Sequence, residues 1–155
     1  MSKVNRGKQF EQQVKKNFLD IQNTSVYRLQ DSMGGFAGVT NICDFIIYHY
    51  PHQFFLECKC HYGNTLPFNC ITDNQMQGMY EMSKIEGVKA GVLVWYIDHD
   101  ATYFLPIQFL VAIKQTGAKS INIKDLVDIE NSPYIKIPSI KKRVLCEYNF
   151  NILFN

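Results

Sequence analysis

The chain has 155 residues, 46% of them hydrophobic and 14% aromatic, and carries a net charge of +2. A chain of this length is expected to form a single domain, 1–155, that buries a substantial core and leaves no room for a second one. Its five cysteines are an odd number and no apolar leader opens the chain, which points to a reducing cytoplasm and away from a disulfide framework, and no run is long and apolar enough to span a membrane.

Phe10, Val14, Phe18 and Ile21 recur at helical spacing and predict a first amphipathic helix from about Asn5 to Asp20. Glu11 lies one step round from that stripe, where periodicity alone makes it an ordinary surface acid. The bases cluster at Lys3, Arg6 and Lys8, at Lys15 and Lys16, and at Lys136, Lys141, Lys142 and Arg143. A net charge of +2 is modest for a nucleic-acid binder, but clusters of this kind suit phosphates. Lys15 and Lys16 serve equally well as a solvated helix face. Ser25 to Leu29 reads as the first strand. The segment after it, through Cys43, is glycine-rich, and Gly34, Gly35 and Gly38 allow backbone angles and close approaches that other residues forbid. Standing just ahead of Asp44, this loop is expected to face a substrate.

Asp44-Phe-Ile-Ile-Tyr-His-Tyr50 is β-branched and aromatic, Pro51-His52 breaks it, and Gln53 to Cys60 resumes it. Two antiparallel strands are predicted. Side chains alternate across a strand, so Glu57 and Lys59 emerge on one face and Leu56, Cys58 and Cys60 on the other. Asp44, at the start of the partner strand, comes beside Glu57. Two converging carboxylates repel each other unless a divalent cation sits between them, and oxygen ligands suit Mg²⁺ or Mn²⁺. Lys59 is then placed to hold a water that attacks a phosphate. The plainer alternative is a solvated hairpin that happens to carry two acids and a lysine. Against it, the strands are otherwise almost wholly apolar, and burying these charges without partners is expensive. Cys58-Lys-Cys60-His61 invites a zinc reading, but it lacks the C-x2-C spacing and a clear second pair, Cys43 and Cys70 being the candidates. Packing of Cys58 and Cys60 as small apolar side chains opposite the metal is the preferred reading.

His61 to Phe68 reads as a loop, and Thr72 as the N-cap of a helix whose free N–H groups face anions. Met76, Met79, Tyr80 and Met82 on that helix are core or interface residues. Ala90 to Ile97 is a continuous apolar run, a buried central strand, with Ala101 to Leu105 as its partner across Asp98-His-Asp100. Pro106 opens a helix reaching about Lys114. The histidines are isolated near turns, where structural or solvent roles are the default for each, and only His61, two residues past Lys59, has contact with DNA as an alternative. Tyr148 to Phe154 is aromatic and docks either on the core or on a second subunit.

Asn5-Arg6-Gly7 followed by Phe10-Glu11, then Asp44, Glu57-x-Lys59, Asn64-Thr65-Leu66-Pro67-Phe68 and Gln75, in this order and spacing, resembles the RecU family of Holliday junction resolvases, within the PD-(D/E)xK nuclease superfamily. Tyr103-Phe-Leu and Lys119 to Asp125 continue the likeness. The resemblance implies an α/β restriction-endonuclease-like core, a central mixed sheet flanked by helices. It also implies Mg²⁺ dependence, with Mn²⁺ able to substitute, action on four-way junctions and other branched DNA, a homodimer, and possible dealings with recombination proteins. Carried over, Asp44 and Glu57 are metal ligands together with the backbone carbonyl of Cys58, Lys59 orients the water, Glu11 is a supporting acid and Gln75 points at the site. The expected DNA contacts are Arg6, Lys8, Gly34, Gly35, Asn64, Thr65, Lys141, Lys142 and Arg143. One departure is that the interval from Gln30 to Cys43 is short where chromosomal members carry a long stalk, so the chain is more like phage and mobile-element forms. That leaves two rival readings: a nuclease of branched or duplex DNA without strict junction selectivity, and a non-catalytic DNA-binding module.

Overall fold

Asn5 caps the first helix, α1 (Arg6–Leu19), its side-chain oxygen accepting from the Lys8 N–H at 3.1 Å. This opens the computed structural model, which describes residues 4–30, 41–127 and 130–155. The stripe Phe10, Val14 and Phe18 is buried together with Asn17. Three strands follow, β1 (Thr24–Arg28), β2 (Phe45–His49) and β3 (His52–His61), each antiparallel to the one before. The order continues with β4 (Thr65–Pro67), α2 (Asp73–Ser83), β5 (Val88–Tyr96), β6 (Ala101–Pro106), α3 (Ile107–Gln115), β7 (Ser120–Asn122), β8 (Ile135–Lys136), β9 (Ser139–Lys141) and β10 (Cys146–Tyr148). A 3-10 helix, Phe150–Phe154, ends it.

Six strands form the central sheet in the order β1-β2-β3-β5-β6-β8. β5 runs parallel to β3 and every other pair is antiparallel. The α/β class and mixed sheet expected from the sequence are thus present. The parallel pair arises because α2 carries the chain back from the end of β3 to the start of β5, a crossover a tight hairpin cannot make. β5 is buried from Ala90 through Tyr96. The predicted central strand is therefore found, starting and ending slightly earlier in the chain.

Strand alternation divides the core in two. On the face covered by α1, Phe54, Leu56 and Cys58 pack with Phe10, Val14 and Phe18. On the face covered by α2 and α3, Phe55, Val92, Val94 and Leu105 pack with Met76, Met79 and Leu110. Cys58 and Cys60 lie on the α1 side, as the alternation predicts. Gly78 brings α2 tightly against the segment entering β2, because a Cβ there would overlap the Ile42 side chain.

Two small sheets escaped the sequence. The stretch His61 to Phe68, predicted as a loop, contains β4, which pairs with β7. β9 and β10 form a hairpin closed by Lys142 N–H donating to Leu145 O at 2.9 Å. The C-terminal aromatics dock on this chain's own core: Phe150 stacks on Phe18 with centroids 4.0 Å apart, and Phe154 on His49, also at 4.0 Å. No helix among the described residues is long and apolar enough to cross a membrane.

Phe150 is fully buried, its ring stacked against Phe18 of α1 and Tyr148 of β10. Phe150→Ala is expected to cost about 3–5 kcal/mol, read as a lowered urea midpoint with unchanged slope.

Candidate active site

Asp44 is fixed by backbone before its side chain is considered. Its N–H donates to Leu56 O at 3.0 Å and its C=O accepts from Leu29 N–H at 2.8 Å, which pins it between β1 and β3. The register Phe45↔Leu56 then sets Asp44 beside Glu57. The Asp44 Oδ2 accepts from the Cys58 N–H at 2.8 Å, and Oδ1 lies 3.6 Å from Arg28 Nη2.

Glu57 is only 4% exposed. Its Oε1 is 3.2 Å from Lys59 Nζ, while Oε2 is buried with no hydrogen-bond partner among the described residues. Burial, reinforced by the Asp44 charge and opposed by Lys59, raises its pKa from 4.5 to about 7. Such a carboxylate is buried with one oxygen unclaimed and the Lys59 ammonium on the other. Asp44 and Glu57 therefore fit a hard divalent ion by donor chemistry and by the orphaned oxygen. Among the described residues no group of three histidines, cysteines or acids forms a cluster for a metal, so further ligands there would be backbone oxygens or water. Burial, with the charges of Glu57 and Asp44 behind it, raises the Cys43 pKa to about 12, and burial holds Cys58 well above its usual value, so both are neutral packing groups.

One residue of the site escaped the sequence reading. Arg28, at the end of β1, donates through Nε and Nη2 to Glu11 Oε2 at 3.2 and 3.0 Å. It also faces Asp44 and lies over the Phe45 ring at 5.6 Å. Glu11 thus joins the site through Arg28. The available signal was a single charged residue in the first strand, next to a strand entered at Asp44.

Other expected site residues have structural duties. Gln75 does not simply point at the acids: its Oε1 accepts from Thr72 N–H at 3.0 Å and its own N–H donates to Thr72 Oγ1 at 3.1 Å, a capping box that starts α2. Asn64 Oδ1 lies 2.7 Å from His99 Nε2, and its C=O takes the Ile123 N–H at 2.8 Å, while Thr65 belongs to β4. Lys141 is paired with Asp100 at 2.8 Å and also donates to Val144 O, which makes it a strut of the β9–β10 hairpin. Lys142, Arg143 and Lys8 are exposed. Arg6 donates to Gln9 Oε1 at 2.8 Å, one turn along α1. Gly34 and Gly35 lie outside the described residues.

Comparison with known proteins bears on this arrangement. A family model described as RecU, Recombination protein U, matches residues 5–144. The chain belongs to the RecU family. That span takes in every residue of the RecU-like site described above, from Glu11 to Lys59, and stops short of the docked C-terminal aromatics. Among solved structures this RecU-family chain is similar to Hjc, a Holliday junction resolvase from the archaeal hyperthermophile Archaeoglobus fulgidus, with TM-score 0.48 and 19% identity over 66% of this chain and 78% of that one. No curated protein matches it.

The raised pKa of Glu57 has a stability consequence for metal-free protein. The folded state holds the Glu57 proton more tightly than the unfolded chain, so its advantage is complete below pH 4.5 and is lost as pH climbs to about 7. The loss is on the order of 3 kcal/mol. Glu57→Gln is expected to remove this decline, leaving metal-free variant protein more stable than wild type at pH 8 by urea unfolding in EDTA. Equal pH profiles would contradict the burial argument.

Proposed function

We propose that this RecU-family protein is a Mg²⁺-dependent endonuclease that resolves four-way DNA junctions as a cytoplasmic homodimer. The observation that carries the reading is the buried Glu57 beside Asp44, with an unclaimed carboxylate oxygen and Lys59 at 3.2 Å. Family membership supplies the recombination context.

In this reading Asp44 and Glu57, with the Cys58 carbonyl, would hold a divalent ion, which would supply charge neutralisation at the scissile phosphate and a more acidic water. Lys59 donates to the attacking water and fixes its direction. The water oxygen bonds to phosphorus, the bond to the leaving sugar oxygen breaks, and the water's proton passes to solvent or a nearby base while the leaving oxygen is protonated. Arg28 holds the Glu11 carboxylate in place beside this centre. Lys142, Arg143 and Lys8, exposed on the surface, supply phosphate contacts.

Asp44→Asn and Glu57→Gln should each lower junction cleavage by several orders of magnitude while leaving junction binding within a few-fold, since most affinity comes from phosphate contacts elsewhere. Glu11→Gln should slow cleavage and raise the Mg²⁺ requirement, whereas Gln75→Ala should give a smaller defect, accompanied by the lost cap's cost of about 1 kcal/mol. A labelled panel of junction, fork, flap and linear duplex, cut in Mg²⁺, decides the substrate. Full activity in the Asp44 variant would remove the metal assignment.

Junction resolution needs two symmetric nicks, so two copies related by a twofold axis are expected. Light scattering should then give about twice the 18.0 kDa chain mass. A strict monomer that cuts linear duplex as fast as junctions would favour the general-nuclease alternative.

A further inference from the structure

The sheet face that carries Glu57 and Lys59 is covered by helices over β5 and β6 but continues, past Asp44, onto β1 and β2 where tyrosines stand open. Register defines that continuation. Ser25 opposes Tyr48, Tyr27 opposes Ile46, and Gln53 opposes Tyr48 from β3. Val26, Phe45 and Ile47 pack on the α1 side, so Tyr27 and Tyr48 project on the other side, the one shared by Glu57. Tyr27 is 64% exposed, Tyr48 45%, and Tyr50, just beyond the strand, 78%. Tyr27 and Tyr48 are diagonal cross-strand neighbours, close enough for one ligand to touch both. Asp44, Ile46 and Tyr48 alternate along a single strand face, so Tyr48 lies about 13 Å from Asp44 at roughly 3.3 Å per residue.

We propose that Tyr27 and Tyr48 form a stacking platform for unpaired nucleobases of the strand being cut. Three features select this occupant. Among the described residues the platform shares one sheet face with Asp44 and Glu57, so a strand seated there would pass across both. Among the described residues the sheet positions on it other than Asp44 and Glu57, namely Ser25, Tyr27, Ile46, Tyr48 and Gln53, carry no charge that would repel a polyanion. Tyrosine suits bases in particular: every base offers a π-face, the ring stacks without regard to sequence, and the hydroxyl stays in water. Bases within an intact duplex are already stacked on their neighbours and cannot lie flat on a protein surface. Bases splayed at a branch can. The platform therefore gives a physical basis for preferring branched over linear DNA in a protein whose pre-Asp44 segment is short.

The inference rests on the nuclease reading, and the test separates the two. Wild type, the Tyr27→Leu/Tyr48→Leu pair and the Tyr27→Phe/Tyr48→Phe pair are compared on a four-way junction carrying 2-aminopurine next to the branch, with Ca²⁺ for binding and Mg²⁺ for cleavage. Stacking should change the 2-aminopurine fluorescence on binding of wild type and the Phe pair but not the Leu pair. The Leu pair should cleave the junction at least tenfold more slowly while cutting linear duplex at the wild-type rate. If wild type cleaves the junction and the Leu pair matches it in rate and fluorescence, the platform is refuted and the nuclease stands. If wild type cleaves no DNA, the nuclease reading itself fails. If the Leu pair turns a dimer into a monomer by light scattering, the face belongs to a second copy and the base-stacking assignment falls.

Discussion

The antiparallel register that sets Phe45 opposite Leu56 and Ile46 opposite Phe55 decides where each charge of the site falls. With side chains alternating at every residue, a slip of one position would turn Glu57 and Lys59 into the α1 core and bring Leu56 and Cys58 out in their place. The protein guards against this from both sides. Phe54 and Leu56 are fully buried on one face and Phe55 is 5% exposed on the other, so neither alternative register keeps both cores filled. Asp44 is further locked by backbone bonds to Leu29 and Leu56. The acids are thus held close by the packing of apolar residues, which outweighs their mutual repulsion.

The second constraint is the attachment of α1. Glu11 rides on this helix, so its position is only as exact as the helix docking. Phe10 meets Trp95 at 5.7 Å and Tyr148 edge-on at 5.9 Å. Asn17, 5% exposed, accepts from Tyr148 N–H at 2.9 Å and donates to Glu147 at 2.7 Å. These contacts tie α1 to β10, so the C-terminal part of the chain fixes the helix that carries a site acid near the N-terminus. The Lys16–Glu147 ion pair at 3.0 Å adds little, because Lys16 is 60% exposed and its charge well screened.

Much of this was legible in the sequence because the signals are local. The α1 stripe, the β2–β3 hairpin and its alternation, the apolar run of β5 and the Thr72 cap each depend on residues within one or two elements. What was missed depends on pairing at long range. Thr65–Pro67 is a strand because Ser120–Asn122 lies beside it, and nothing in either triplet announces the other. Arg28 belongs to the site only because β1 is antiparallel to β2, with Arg28 opposite Phe45. Lys141 looked like a free base because its partner Asp100 stands 41 residues away. Gln75 was read through family likeness, while the local pattern Thr72-Asp-Asn-Gln75 spelled a capping box that its side chain satisfies.

Charge explains why such a site, in the proposed reading, needs its ion before its substrate. Glu11 and Asp44 share Arg28, and Glu57 beside Asp44 pairs with Lys59, so three carboxylates stand against two cations. Arg28 is committed to Glu11 and Asp44, and Lys59 to Glu57, so neither cation is free to attract phosphate. Where Glu57 is ionised, a phosphodiester approaching the bare cluster would meet net negative charge in a partly desolvated site, where repulsion is weakly screened. In the proposed reading Asp44 and Glu57 would hold a divalent ion, which would reverse the sign of the cluster and favour the ionised form of Glu57. Lys59 then has its ammonium available for the water and the phosphate. In the proposed reading electrostatics would favour metal first and DNA second at the catalytic centre, while contacts made outside it by exposed bases such as Lys142 and Arg143 would hold DNA without waiting for the ion.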